Sequence, residues 1–549
     1  MRNYIEIWTS GKKESESVVA ALPMLWATLI LVSLGLFAGS LMFGELNQDE
    51  GWYLYAARLT SEGHMPYVDF ATTQGPAMYY IYALANPLVT ALGVAGGRLF
   101  TALLGFATVA SASWLAYRLA APSRKQVAAF FTFALLGANA YQVYYTTIVK
   151  TYALTGLLLV LGFVAMSYAI QHRHDHTAFL AGILMGLAAA TRTSAAFALP
   201  VVVISLFVYR MKSGVTREDL SRSIPVWFAC GAALTLCLLF VPFIVRAPQG
   251  IWFAFFEYHA GRETGSFFMS LLRKGGSMCH LVRAYPIVLG LSVIFGLEWL
   301  VKKLDSEQKA AQLDLGSKVE LAAVILSACV VGAVHLAAPF PYDEYQVMIM
   351  PLVVVAVSVF LVGLIQKNSL LNILTLSLVI LSVAGVMSSS MVEKWVLRDI
   401  DRIWVVSREK TPLGKLREVA GFVREIAGED GEILTQDAYL AVESKLRLPH
   451  GLEMGPFSYY PDWSTEKATA RHVLNKEMML ELITNTKAPV IALSGYSFTI
   501  SSPSVTELSE EEQYELRGAL GRRYKLIKTV EHFGQAGTEL EIYGRMPVK

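Results

Sequence analysis

Long apolar runs recur from Val18 to about Met391, separated by short polar loops, and after Met391 they stop. Runs of roughly 20 apolar residues match a hydrocarbon core of roughly 30 Å, so the pattern predicts a bundle of transmembrane helices followed by a water-exposed part. Lys and Arg gather in loops that stay on the cytoplasmic side. Here they fill Arg118 to Lys125, the stretch around Arg173, Arg210 to Arg222, Lys302 to Lys318 and the stretch around Lys367, with Arg2, Lys12 and Lys13 ahead of the first run. Spans near 18–43, 97–118, 126–146, 148–170, 177–191, 195–209, 224–245, 279–300, 319–338, 346–365 and 369–390 put all of these loops on one side. That makes about eleven crossings, N-terminus inside and C-terminus outside. The first run is too long for the apolar region of a signal peptide and is expected to be retained.

Gly75 to Gly93 is apolar and aromatic, but counting it as a span would put Arg118, Arg124 and Lys125 outside and invert every later loop. It reads instead as helix lying in the outer interface. Residues 44–96 then form one long outer loop with two short helices, and a loop of that length is expected to be used for something.

From Val392 onward helical patterns at Leu413–Ala427 and Ala468–Thr484 alternate with β-rich runs at Glu432–Thr435, Pro489–Ser494, Tyr524–Val530 and Glu539–Gly544. This predicts a small α/β layer domain over residues 392–549, outside the membrane and above the long loop. The fold class expected is therefore mainly α, a polytopic helical bundle over 1–391 with an extracytoplasmic α/β domain.

Composition agrees. The chain is 54% hydrophobic and 16% charged, with a mean hydropathy of +0.46, against roughly 25% charge in a soluble domain. A net charge of +2 implies nothing about a nucleic-acid partner, and no basic stripe with interleaved aromatics points to one. Cys230, Cys237, Cys279 and Cys329 lie in or beside apolar runs without metal-ligand spacing and read as small core residues.

The segment richest in chemistry is Asn47-Gln48-Asp49-Glu50-Gly51-Trp52-Tyr53, followed by Gly63-His64-Met65-Pro66-Tyr67-Val68-Asp69 and Gln74-Gly75-Pro76. If a helix begins at Asp49, then Trp52, Tyr55, Ala56 and Leu59 share one face that can rest on the bilayer interface, and Asp49 and Tyr53 turn toward the protein. Both carboxylates fall in the first turn, where the helix dipole favours the ionised form by about 0.3–1 kcal/mol each. An ionised carboxylate there can take a proton from an attacking hydroxyl; its alternative role is simply to cap the helix.

A first transmembrane helix, an Asp-Glu pair just beyond it, Tyr at i+4, Gly-x-x-Pro-Tyr-x-Asp and Gly-Pro-x-x-Tyr-Tyr together resemble the first outer loop of the GT-C glycosyltransferases. Within them the chain is most similar to the bacterial family-39-like enzymes, related to protein O-mannosyltransferases and lipid A aminoarabinose transferases. The resemblance implies an inner-membrane enzyme that moves a sugar with inversion from a polyprenyl-phosphate donor to a hydroxyl of a lipid, glycan or protein. It implies Asp49 as catalytic base with Glu50 in support, and Arg192 and Tyr345 at the donor phosphate. Tyr53, Tyr67, Asp69, Gln74 and Asp343 are expected to bind substrate. Where the family commonly has an acidic residue in the second outer loop, this chain has Lys150, which argues against a two-carboxylate metal site and offers a cation to the phosphate instead. No cofactor is required on this reading; His64 and Asp69 are the alternative ligands should a divalent metal take part. His335 reads as a satisfied core residue. Arg246, Glu257, His259, Arg262 and Glu263 form a charged outer loop with either a contact or a solvated role. The competing classes are an oligosaccharide transferase of the same fold, a lipid or sugar transporter, which would show broken helices in two related halves, and a recruiting scaffold.

Overall fold

The computed structural model describes residues 16–172, 174–213, 223–260, 266–286, 288–293, 313–364, 410–429, 431–495, 498, 508–535 and 537–547. The expected span 369–390, the end of 279–300, and Arg262 and Glu263 lie outside the described residues.

The bundle runs α1 (Glu16–Phe43), α2 (Gln48–Ser61), α3 (Pro76–Ala83), α4 (Asn86–Leu92), α5 (Val94–Leu119), α6 (Lys125–Gly137), α7 (Ala140–Tyr145), α8 (Thr151–His172), α9 (Asp175–Thr191), α10 (Ala198–Lys212), α11 (Ile224–Arg246), α12 (Phe267–Ala284), α13 (Leu315–Ala337) and α14 (Met350–Leu364). Among the described residues six helices are long and apolar enough to cross a membrane, and α6, α9 and most of α14 are shorter apolar helices beside them. The chain is an integral membrane protein.

Helix α8 is buried over most of its length, between α5, α9 and α13, whereas α1 leaves Met24, Leu31 and Met42 exposed, as a lipid-facing helix does. Small residues let helices close on one another: Gly182 of α9 and Gly231 of α11 each sit where a Cβ would strike the other helix's backbone.

Two expectations about helix bounds change. The stretch 126–146 is not one helix, because it breaks after Gly137 and restarts at Ala140, where Asn139 accepts a hydrogen bond from the Gln142 amide at 2.9 Å and caps the new turn. Residues 75–93 do form helix too short to cross, but the long loop holds three short helices, α2 to α4, rather than two.

The C-terminal part consists of α15 (Pro412–Ala427), β1 (Ile433–Thr435), α16 (Ala438–Ser444), α17 (Lys476–Asn485), β2 (Val490–Leu493), α18 (Glu510–Gly521), β3 (Tyr524–Phe533) and β4 (Thr538–Arg545), with a short turn of helix at Thr465–Thr469. Its four-stranded sheet has the order β1-β2-β4-β3, with β1 and β2 parallel and the other pairs antiparallel. Helix α15 buries Leu413, Leu416, Val419, Ala420 and Val423, the apolar stripe its spacing predicts.

This domain sits directly on α2. A Cβ at Gly51 would lie 2.3 Å from the Tyr439 amide nitrogen of α16, and the Leu448 amide donates to the Tyr55 hydroxyl at 2.8 Å. The face formed by Trp52, Tyr55 and Ala56, expected to rest on the bilayer, is therefore covered by protein, with Trp52 and Tyr55 each 3% exposed. Glu443 of α16 also accepts the free Val94 amide at the start of α5, at 2.8 Å.

Candidate functional site

Helix α2 begins with a full capping box: Asn47 accepts from the Asp49 amide at 3.0 Å and Glu50 reaches back to the Asn47 amide at 3.2 Å. Capping thus falls to Asn47 and Glu50, which leaves the Asp49 carboxylate free for other partners. One of its oxygens accepts from the Trp52 indole at 3.3 Å, and the other lies 3.3 Å from Lys150 Nζ.

Lys150 ends the turn that follows α7. Its ammonium also lies 3.3 Å from a Glu344 carboxylate oxygen, so one cation spans two carboxylates drawn from separate parts of the chain. The rings of Tyr145 and Tyr152 stand about 6 Å from it. Its side chain is 8% exposed and that of Asp49 is 29% exposed, which puts the buried cation behind and the carboxylate at the opening.

Arg192, in the break between α9 and α10, donates from Nη1 to Thr151 Oγ1 at 3.0 Å. Its guanidinium lies 4.4 Å from the Tyr345 ring centre and 5.1 Å from that of Tyr152. All of these side chains line one cavity of about 700 Å³. Tyr53 and Gln74 line it as well, as do Phe457 and Gln535 from the C-terminal domain.

Gln535 accepts from the Gln48 amide at 2.7 Å, and the Gln48 side chain donates to Asp437 at 2.8 Å, itself held by the Tyr439 hydroxyl at 2.6 Å. Burial pushes the Asp437 carboxyl up, and these donors hold it against that. The C-terminal domain thus grips the first residue of the helix that carries Asp49.

Of the residues singled out in the sequence, Asp49, Lys150, Arg192, Tyr345, Tyr53 and Gln74 come together at the cavity. Glu50, Tyr67 and Asp69 do not line it. Glu50 turns inward, fully buried against Arg98 at 2.6 Å, so its support of Asp49 acts through the shape of the turn. Tyr67 is buried against Phe243 and its hydroxyl donates to the Gln74 carbonyl, while Asp69 accepts the Met65 amide at 2.6 Å. Both shape the loop that presents Gln74. Asp343 opens a 3-10 turn, Asp343–Met348; its side chain lies outside the described residues.

Sequence reasoning passed over Glu344 and Ser194 at the cavity and Arg98 behind it, and read His335, which also lines the cavity, as a core residue. Arg98 carried a usable signal, a charge near the start of a membrane helix, which demands a partner.

A divalent ion fits this donor set poorly. The space between the two carboxylates holds an ammonium, and among the described residues no group of three or more His, Cys, Asp or Glu converges as ligands would. His64 and Asp69, 4.0 Å apart, lie away from the cavity.

The architecture, a helical membrane bundle with a long loop and a C-terminal α/β domain closing over a charged cavity, is the GT-C fold. In particular, the chain is similar to ArnT from Cupriavidus metallidurans, both in its crystal structure bound to undecaprenyl phosphate and in the apo state. Each aligns with a TM-score of 0.59 and 14% identity over 95% of this chain and 98% of that one. No family model matches the sequence, and no curated protein matches it.

Proposed function

We propose that this protein is a glycosyltransferase that transfers one sugar from a polyprenyl-phosphate carrier to an acceptor hydroxyl, at the outer face of the membrane and with inversion. The observation that carries the reading is the arrangement of Asp49 at the cavity opening with Lys150 buried behind it and Arg192 lining the same cavity. A base and two cations are what the reaction needs at its two ends. Asp49 takes the proton of the acceptor hydroxyl as its oxygen bonds to the anomeric carbon. The bond from that carbon to the phosphate oxygen breaks, its electron pair leaves with the phosphate, and Lys150 and Arg192 neutralise the charge that develops there. Lys150 has a second duty at rest, holding the Asp49 carboxylate in place. Undecaprenyl phosphate bound to ArnT, which shares this fold, supports a lipid-phosphate donor. A cavity of about 700 Å³ is of the size that takes one small molecule, which favours a single sugar over an oligosaccharide. The positive-inside distribution of Lys and Arg supports the orientation, with the C-terminal domain outside.

The test is transfer from radiolabelled undecaprenyl-phosphate sugars in membranes carrying wild type or Asp49→Asn. Loss of a positioned base should slow transfer by about 10²–10⁴-fold; equal rates would remove Asp49 from the mechanism. Because Lys150 fills the position between the carboxylates, the wild-type rate should survive EDTA, and a rate abolished by EDTA and restored by a divalent ion would overturn that assignment.

A further inference from the structure

Helix α12 (Phe267–Ala284) follows the aromatic segment after α11, whose Glu257 is paired with Arg471 of the C-terminal domain. The helix is two-faced. At 3.6 residues per turn, Phe268, Leu271, Leu272, Met278, Cys279 and Val282 fall within about 120° of arc, and all six are exposed, Phe268 by 64%. The opposite face packs on protein. Leu281 and Ala284 are buried there, His280 lines the cavity, and the Arg273 guanidinium lies 4.4 Å from the Phe340 ring centre. This face rests on the turn Asp343–Met348, which carries Glu344 and Tyr345. At the two borders of the exposed stripe stand cations, Lys274 on one side and Arg283 on the other. Residues 266–293 contain no Asp or Glu, and neither Arg273 nor Lys274 forms an ion pair with a described residue. An apolar stripe edged by cations is the pattern of a helix lying in a membrane interface, its apolar side among acyl chains and its charges among headgroups. Trp252 and Phe256, both exposed and stacked at 4.7 Å, add aromatic anchors just ahead of it.

We propose that α12 is a docking surface for anionic phospholipids of the leaflet in which it lies. The apolar stripe alone suits any lipid, and because α11 leads into this segment from the membrane, lipid is what the stripe meets. Charge complementarity then selects the headgroup. Arg273, Lys274 and Arg283, with no carboxylate on the same helix, leave a positive rim. A headgroup of net negative charge answers that rim, whereas a zwitterionic one brings an ammonium of its own. Lipid meets one side of α12 while the other side rests on the turn that carries Glu344 and Tyr345, so headgroup charge sets how firmly the helix is held beside the cavity. The surface lies outside that cavity and does not depend on the reaction proposed above.

The test uses the full chain in nanodiscs, with Cys230→Ser, Cys237→Ser and Cys329→Ser leaving Cys279, within the stripe, to carry a bimane fluorophore. The bilayer is phosphatidylcholine with a minor share of lipid spin-labelled high on the acyl chain, either phosphatidylglycerol or phosphatidylcholine. At low salt the labelled phosphatidylglycerol should quench more strongly, with about 5-fold of the preference carried by each cation. Lys274→Gln and Arg283→Gln should each remove about that factor, and the preference should fade as ionic strength rises toward about 1 M. Equal quenching by the two lipids at low salt would overturn the proposal, since the stripe would then be a general lipid contact. Quenching by neither would overturn it by taking α12 out of the leaflet. Thermal unfolding shows whether each variant is folded. If neither Lys274→Gln nor Arg283→Gln folds, the salt series on the protein that keeps both cations decides, and a preference unchanged by salt overturns the proposal.

Discussion

Arg98 enters the bundle with no water to solvate it, and Glu50 meets it with two oxygens, at 2.8 Å from Nε and 2.6 Å from Nη2. The remaining donors go to the carbonyls of Leu41, Gly44 and Glu45 at the end of α1, and Glu50 also accepts the Val149 amide, one residue before Lys150. One buried pair therefore joins the end of α1, the start of α2 and the Lys150 turn. Removing one member of such a pair leaves an uncompensated charge, and Glu50→Gln should cost about 3–5 kcal/mol of stability, read by thermal unfolding in detergent. A Glu50→Gln protein as stable as wild type but unable to transfer would place Glu50 in the chemistry instead. Asp49 was legible in the sequence through its motif. The distinct use of its neighbour was not, because it depends on Arg98, 48 positions away.

Helix α2 shows how far periodicity reaches at the scale of an element. Its apolar stripe, Trp52, Tyr55 and Ala56, was legible as a face that must be covered, but apolar spacing is the same whether lipid or protein covers it. The cover is α16, and the contact is close enough that only glycine fits at position 51, where a Cβ would meet the Tyr439 amide nitrogen at 2.3 Å and the Ala438 carbonyl carbon at 2.9 Å. Backbone cannot swing aside as a side chain can. Gly51→Ala should therefore push α16 away, with a loss of about 1–3 kcal/mol and weaker transfer through the displaced Gln48 and Gln535. Gly39→Ala in α1, where a Cβ meets nothing within 4 Å, is the matched control and should be neutral or slightly stabilising. Equal unfolding temperatures for the two variants would contradict the tight docking of α16. The break at Asn139 teaches the same lesson about length, since a continuous apolar stretch fixes where helix can form but not where a capping side chain stops one.

At the scale of the molecule, the division into a membrane bundle and an α/β part was legible from the end of the apolar runs, whereas the joint between them was not, because it is made of contacts remote in sequence. Part of that joint is Glu257, from the charged loop after α11, which lies 2.8 Å from Lys467 and 2.5 Å from Arg471 of the C-terminal domain. Partial burial raises the Glu257 carboxyl, but hydrogen bonds and charge from Lys467 and Arg471 outweigh it and hold the group below its ordinary value of 4.5. A carboxyl depressed in the folded state contributes stability above its unfolded value, and that contribution fades as the pH falls through the folded one. The clasp should therefore be complete at neutral pH and open progressively below about pH 4.5. Hydrogen exchange of the Thr465–Thr469 turn, followed from neutral to acid pH, should show faster opening in Glu257→Gln than in wild type at pH 7, with the two converging in acid as wild type protonates. A difference between them that persists undiminished below about pH 3 would mean that the docking rests on packing at Phe253, Tyr460 and Trp463 rather than on this charge.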